Sequence, residues 1–149
     1  MFVYTKTNFS NPDFRKLIEE LDNEFLVRYP FLHQVFTPFN LLDQNARVVM
    51  AYFQIMPVGC GAFRLVDERT IEIKRMYTLP LYRNQGIGKS ILNQLEKWAR
   101  AEGFSVSKLE TGINQPEAIA AYEKSGYKRI PNFPPYVEVG ESICMEKYL

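Results

Sequence analysis

The chain has only two cysteines, Cys60 and Cys144, in 149 residues. That is too few for a disulfide framework, and it suits a reducing, cytoplasmic setting. His33 is the only histidine, which argues against a histidine-based metal site and against a Ser-His-Asp triad; no metal is expected. Neither sign of charge dominates: 18 Lys and Arg stand against 17 Asp and Glu, a net charge of +1. No strong pull toward nucleic acid or an anionic membrane is expected from that balance. No apolar run approaches the roughly 18 residues needed to span a bilayer. The N-terminal Met-Phe-Val-Tyr-Thr-Lys-Thr has no basic segment leading into a long apolar one, so no secretory leader is expected. Repeats and low-complexity tracts are also missing.

What remains is an ordinary globular composition, with 46% hydrophobic and 23% charged residues. A length of 149 residues suits one domain, 1–149, with a substantial core. Met1 to Thr5 alternates weakly, as a first strand would. Asn11-Pro12 has the form of a helix N-cap and first position, and Phe14, Leu17, Ile18, Leu21 and Phe25 follow at helical spacing. Tyr29 to Asn40 is aromatic and broken by Pro30 and Pro38, which predicts a loop or short irregular helix. Strands are expected at Arg47–Phe53, Pro57–Val66 and Thr70–Tyr77, with turns at Met56-Pro57 and Asp67-Glu68-Arg69. A helix from Ile87 to Ala101 presents Ile91, Leu92, Leu95, Trp98 and Ala99 on one face, and Gly103 stops it. A short strand at Val106–Thr111 and a helix from Gln115-Pro116-Glu117 to Gly126 follow. Tyr127–Ile130 is a strand, Pro131–Gly140 a proline-rich loop, and Ser142–Tyr148 the last strand. This order predicts an α/β domain with a mixed sheet.

Between the third meander strand and the long helix lies Arg83-Asn84-Gln85-Gly86-Ile87-Gly88-Lys89. A strand, a glycine-bearing loop and a helix start form a natural phosphate site. The first helical N–H groups have no internal partner, and the helix dipole adds about half a positive charge there. A Walker A loop would need a glycine where Arg83 stands, and a dinucleotide fingerprint would need one at Ile91. The pattern [RQ]-x-x-G-x-[GA] is met in full by Arg83, Gly86 and Gly88.

On those residues the chain resembles the GNAT superfamily of acyl-CoA-dependent N-acetyltransferases, in its bacterial, small, single-domain subgroup. Further segments carry the likeness. Glu72 to Pro80 resembles the family's fourth strand, and Glu117 to Tyr127 resembles its A-I-x-x-Y-x-x-x-G-[FY] motif. Val58–Ala62, Leu109–Gly112 and Ser142–Lys147 resemble the same subgroup. Two positions depart from the pattern. Asn84 stands where glycine is usual, although asparagine tolerates left-handed geometry. Gln115, preceded by Asn114, stands where asparagine often opens the second helix.

The resemblance implies a GNAT-like fold, with a mixed central sheet of about seven strands flanked by about four helices. It implies transfer of the acetyl group of acetyl-CoA to a primary amine by direct attack, with a small molecule as the expected acceptor. It places coenzyme A against Met76, Tyr77, Thr78, Arg83, Asn84, Gln85, Gly86, Ile87, Gly88, Lys89, Asn114, Gln115 and Tyr122. An alkyl amine has a pKa of about 10.4, so a base helps at neutral pH. The family's strand carboxylate falls on Glu72; the alternative for that residue is a solvent-facing strand glutamate, and Glu110 is its rival as base. Tyr122 is the implied general acid toward the sulfur, or else a packed helix tyrosine. A backbone N–H at Met76 or Tyr77 is the implied oxyanion donor. Lys89 contacts phosphate or is solvated. Arg75 reaches cofactor or acceptor, or pairs with a nearby acid. Acceptor selection is expected from Tyr29–Asn40 and Pro131–Gly140, whose aromatic residues also suit a homodimer contact. Protein N-terminal or lysine acetylation, and non-catalytic acyl-CoA sensing, are the competing functions.

Overall fold

A computed structural model describes residues 1–30 and 44–149. Apart from Tyr29 and Pro30, the expected irregular segment Tyr29–Asn40 lies outside the described residues, with His33, Phe31, Phe36 and Phe39. The strands are β1 (Phe2–Asn8), β2 (Arg47–Phe53), β3 (Met56–Leu65), β4 (Thr70–Thr78), β5 (Val106–Gly112), β6 (Lys128–Ile130) and β7 (Ser142–Tyr148). The α-helices among the described residues are α1 (Pro12–Arg28), α2 (Ile87–Ala101) and α3 (Pro116–Lys124), and a short 3-10 turn spans Pro80–Tyr82. That is three α-helices among the described residues, where about four are expected for the chain.

The seven strands of the described residues join one sheet in the order β1-β2-β3-β4-β5-β7-β6. Only β4 and β5 run parallel; every other neighbouring pair is antiparallel. The α2 crossover between β4 and β5 makes that parallel step possible. Beneath α2, Ile87, Ile91, Leu92 and Leu95 pack on Val49, Phe63, Ile71 and Ile73. On the opposite face, Phe14 and Leu17 of α1 pack on Val48, Met50, Cys60 and Ala62. Cys60 and Cys144 are buried free thiols, and burial pushes them up to about 12 and about 11.

The N-cap at Asn11 forms as its sequence predicts: its side-chain oxygen accepts from Asp13 N–H at 2.8 Å and Phe14 N–H at 3.1 Å. Elsewhere the structure moves boundaries. β1 continues to Asn8 because every residue from Phe2 onward has a partner on β2. The β2–β3 turn is Gln54-Ile55, not Met56-Pro57. Phe53 pairs with Met56, and Gln54 adopts φ 57°. Pro57 is tolerated inside β3 because the register shifts beside it. Trp98 is only partly buried and meets Phe63 in a T-shaped contact, whereas Glu96 is buried with Tyr127 and Lys147 as partners.

Two irregularities shape the centre of the sheet. β4 pairs with β5 only from Thr70↔Val106 to Ile73↔Leu109. Beyond that point the two strands have no pairing, so the β5-facing edge of Lys74–Thr78 has no strand partner among the described residues. On its other edge β4 carries a bulge: Tyr77 opposes Cys60 and Lys74 opposes Ala62, so Arg75 and Met76 share one opposing residue. Arg75 sits in the left-handed region at φ 58°, a conformation that costs a bulky side chain about 1 kcal/mol or more.

Candidate active site

The opening between β4 and β5 holds two adjoining cavities. The larger, about 480 Å³, runs along the β4 end and the α2 start, and Met76, Tyr77, Thr78, Arg83, Asn84, Gly86, Ile87, Gly88 and Lys89 line it. Glu24 of α1, Ala118 and Tyr122 of α3, and Gln115 at the α3 N-cap are among the residues that close it. The smaller, about 140 Å³, is lined by Asp22, Tyr29, Lys74, Arg75, Glu110, Thr111 and Gln115. Met76, Gln115 and Tyr122 line both.

The glycine loop has the shape an anion needs. Asn84 and Gly86 adopt φ 65° and 82°, and Gly86 caps α2 in left-handed geometry with no side-chain hydrogen bond to the first turn. A Cβ at Gly86 would meet nothing within 4 Å, so its approach is open. The first-turn N–H groups of α2 therefore face the large cavity without a capping side chain. These features fit the diphosphate of coenzyme A. Arg83 does not point its charge at that site. Its guanidinium pairs with both Glu24 oxygens at 3.1 and 2.8 Å and donates from Nε to the Thr78 carbonyl at 2.9 Å. It clasps α1 to the end of β4. Nothing but the three-dimensional fold brings Glu24 into that role.

Of the other expected contacts, Gln85 and Asn114 are exposed and line neither cavity. The Asn114 backbone is already engaged: its N–H donates to Tyr29 Oη at 3.1 Å, and its carbonyl accepts from Arg28 at 3.2 Å. Gln115 lies at the junction of the two cavities. Tyr29 is buried against Gly112, where a Cβ would overlap the Tyr29 phenol. The glycine of Leu109–Gly112 is thus a space for a tyrosine eighty-three positions earlier.

Two glutamates on the facing strands differ sharply. Glu72 is 1% exposed, so it is not the solvent-facing residue that strand alternation allows. It accepts from Arg64 Nε at 2.7 Å and Tyr136 Oη at 2.7 Å, with Lys74 Nζ 3.6 Å away. It lines neither cavity. Glu110 is half-buried and faces the smaller cavity. Ser142 Oγ donates to its carboxylate at 2.6 Å. Burial pushes the Glu110 carboxyl up to about 7, against the lowering pull of Ser142 and Lys74. Tyr122 is half-buried at the junction, and burial, then the Glu110 charge, raises its phenol well above the ordinary value, so it holds its proton at neutral pH. Tyr127 packs edge-on against it at 5.9 Å. Tyr127 is fixed in turn, donating to Glu96 at 3.0 Å, which also accepts from Lys147 at 2.8 Å.

Comparison with known proteins agrees with this architecture. Residues 12–127 match the model of the Acetyltransferase (GNAT) family. The chain belongs to that family and is an acyl-CoA-dependent acyltransferase. It is 37% identical over 136 residues to the IAA acetyltransferase of Azospirillum brasilense, covering 90% of this chain and 89% of the relative. A Klebsiella pneumoniae structure named as an acyl-CoA N-acyltransferase superposes with a TM-score of 0.85 at 34% identity, over 100% of this chain and 98% of that one. The PaiA N-acetyltransferase of Thermoplasma acidophilum, solved in complex with coenzyme A, shares the fold: TM-score 0.76 at 19% identity, over 100% and 99% of the two chains. No helix among the described residues is long and apolar enough to cross a membrane.

Proposed function

We propose that this enzyme transfers the acetyl group of acetyl-CoA to the primary amine of a small molecule. The observation that carries the reading is the meeting of two cavities at Tyr122, one bordered by the glycine loop and the other by Glu110. The small volume of the second, about 140 Å³ among described residues, favours a compact acceptor over a folded protein surface. The similarity to a relative named IAA acetyltransferase supports the same reading.

Coenzyme A would be held by the α2 N-terminus, with Asn84, Gly86, Ile87, Gly88 and Lys89 around its diphosphate and Met76, Tyr77 and Thr78 along its arm. When bound, acetyl-CoA supplies a thioester whose C–S bond breaks as the amine's N–C bond forms. Glu110 takes the amine's proton on its carboxylate. A group near pKa 7 suits that task, because it is substantially ionised at neutral pH yet still basic. Ser142 fixes the Glu110 carboxylate. Tyr122 gives its phenolic proton toward the departing sulfur and regains one from solvent or from Glu110. A backbone N–H of Met76 or Tyr77 donates to the acetyl oxygen. Glu72 has a different part in this scheme: its carboxylate anchors Arg64, Lys74 and Tyr136 beneath the site.

The test is acetyl-CoA turnover across a panel of small amines and peptides, with Tyr122→Phe as control. Turnover of small amines that falls about 100-fold in the variant is the expected result. Failure to bind acetyl-CoA rejects the reading. Binding without turnover on any acceptor identifies an acyl-CoA sensor, and turnover on peptides alone identifies a protein acetyltransferase.

A further inference from the structure

The smaller cavity contains a cation with unused binding capacity. Arg75 lines it, and its side chain is only 7% exposed. Asp22 occupies the end of the guanidinium, with both Nη atoms at 3.0 Å from its carboxylate oxygens. The Nε edge is left over: Nε is buried and has no hydrogen-bond partner among the described residues. Leaving a buried charged donor unpaired costs stability, so its retention calls for an explanation.

The backbone sharpens the question. Strand alternation would send Arg75 to the α2 side of the sheet, opposite Lys74. The bulge and the φ of 58° prevent this, and Arg75 instead meets Asp22 of α1. Met76 then returns to the α2-side core and Tyr77 to the α1 side. A strained backbone thus places Arg75 on the wall of the cavity that Glu110 also lines. An arginine edge offers parallel N–H groups matched to a carboxylate. Asp22 is no obstacle, because it is half exposed and holds the other end of the fork.

We propose that the acceptor is a small amino acid, its carboxylate bound by the Nε edge of Arg75 and its amine presented to Glu110. This rests on the acetyltransferase reading above and names the substrate class of the same site. Glu110 and Arg75, of opposite charge on one small cavity, match the two charged ends of such a molecule. The apolar wall of Leu21, Phe25 and Tyr29 takes its side chain.

The experiment compares acetyl-CoA turnover of matched pairs: an amino acid, its amide and its decarboxylated amine. The expected result is a kcat/KM for the amino acid on the order of 10- to 100-fold above both neutral-ended partners. Arg75→Asn, chosen because asparagine accepts left-handed geometry, should collapse that ratio toward one. Its melting temperature and coenzyme A affinity are measured alongside. If Arg75→Asn does not fold, Arg75→Lys is read instead; it keeps the charge but lacks the fork, and should lose most of the ratio. Equal or better turnover of the decarboxylated amine overturns the proposal, as does a variant that slows all three compounds alike. In either case the amine acetyltransferase itself stands. Coenzyme A binding with no turnover of any pair rejects that reading and this proposal together.

Discussion

The β4–β5 pair has a zipped half and an open half, and each holds a buried or half-buried glutamate. In the zipped half, Glu72 lies across from Lys108 on β5, and Arg64, Tyr136 and Lys74 compensate its charge. In the open half, just past the last paired residues, Glu110 loses water without gaining a cation close enough to balance it, and its carboxyl rises to about 7. The two side chains are chemically identical and lie on adjoining strands. The difference is whether desolvation is offset by ion pairs and hydrogen bonds. The Glu72 carboxylate ties Arg64 and Tyr136 to β4, whereas the Glu110 carboxyl borders the small cavity. The end of strand pairing at Ile73↔Leu109 therefore separates the glutamate with close cationic partners from the one beside the cavity.

The widest separation between the halves is expected from exchanging each carboxylate for an amide. Glu110→Gln should lower kcat by about 10²–10⁴-fold with coenzyme A affinity unchanged, as steady-state kinetics and calorimetry will show. Glu72→Gln should act on stability instead. It leaves Arg64 and Lys74 without their counter-charge and should cost about 3 kcal/mol in a denaturant titration. If Glu72→Gln proved the more damaging to kcat in a protein of normal stability, the assignment of the two glutamates would have to be reversed.

The pH dependence sharpens the same contrast. The Glu110 carboxyl is raised from 4.5 to about 7, so the folded state holds an extra proton between those values. Stability should then decline as pH rises through that window, and Glu110→Gln should abolish this part of the decline. Activity runs the other way. The base works when ionised, so kcat/KM should fall as pH drops through about 7, and this limb should be missing from the glutamine variant's profile.

A smaller effect tests the packing that defines the open half. Gly112→Ala places a Cβ against the Tyr29 phenol and should cost about 1–3 kcal/mol. Tyr29→Phe, which removes the colliding oxygen, should recover part of that loss, and a double-mutant cycle measures the coupling. The smallest effect belongs to the clasp. Glu24→Gln removes a partly exposed ion pair with Arg83 and should change stability by under about 1 kcal/mol, detectable by thermal melting.

The long helix was legible because its signals are local. Gly86 and Gly103 bracket Ile87–Ala101, and the apolar spacing between them marks one buried face. Asn11-Pro12 announced α1 for the same reason. The hairpin at Gln54-Ile55 was harder to see, because Pro57 suggests a turn and only a register shift lets it lie in a strand. The site was legible in part. The glycine loop and Tyr122 stand out from their motifs, and both line the large cavity. The roles of Glu24, Asp22, Tyr29, Tyr136 and Ser142 had no local signal, since each acts on a residue far away in the chain.

The order of residues by itself determined the elements, the anion-receptive turn before α2 and the family to which the chain belongs. Those properties follow from backbone preferences and hydrophobic spacing over a few neighbouring positions. Tertiary structure alone decided that Glu110 is poorly compensated, that Glu72 meets Arg64, Lys74 and Tyr136, and that Arg75 Nε has no hydrogen-bond partner among the described residues. Charge in a protein interior depends on distance to partners and on exclusion of water, and folding sets both between residues that are remote in sequence.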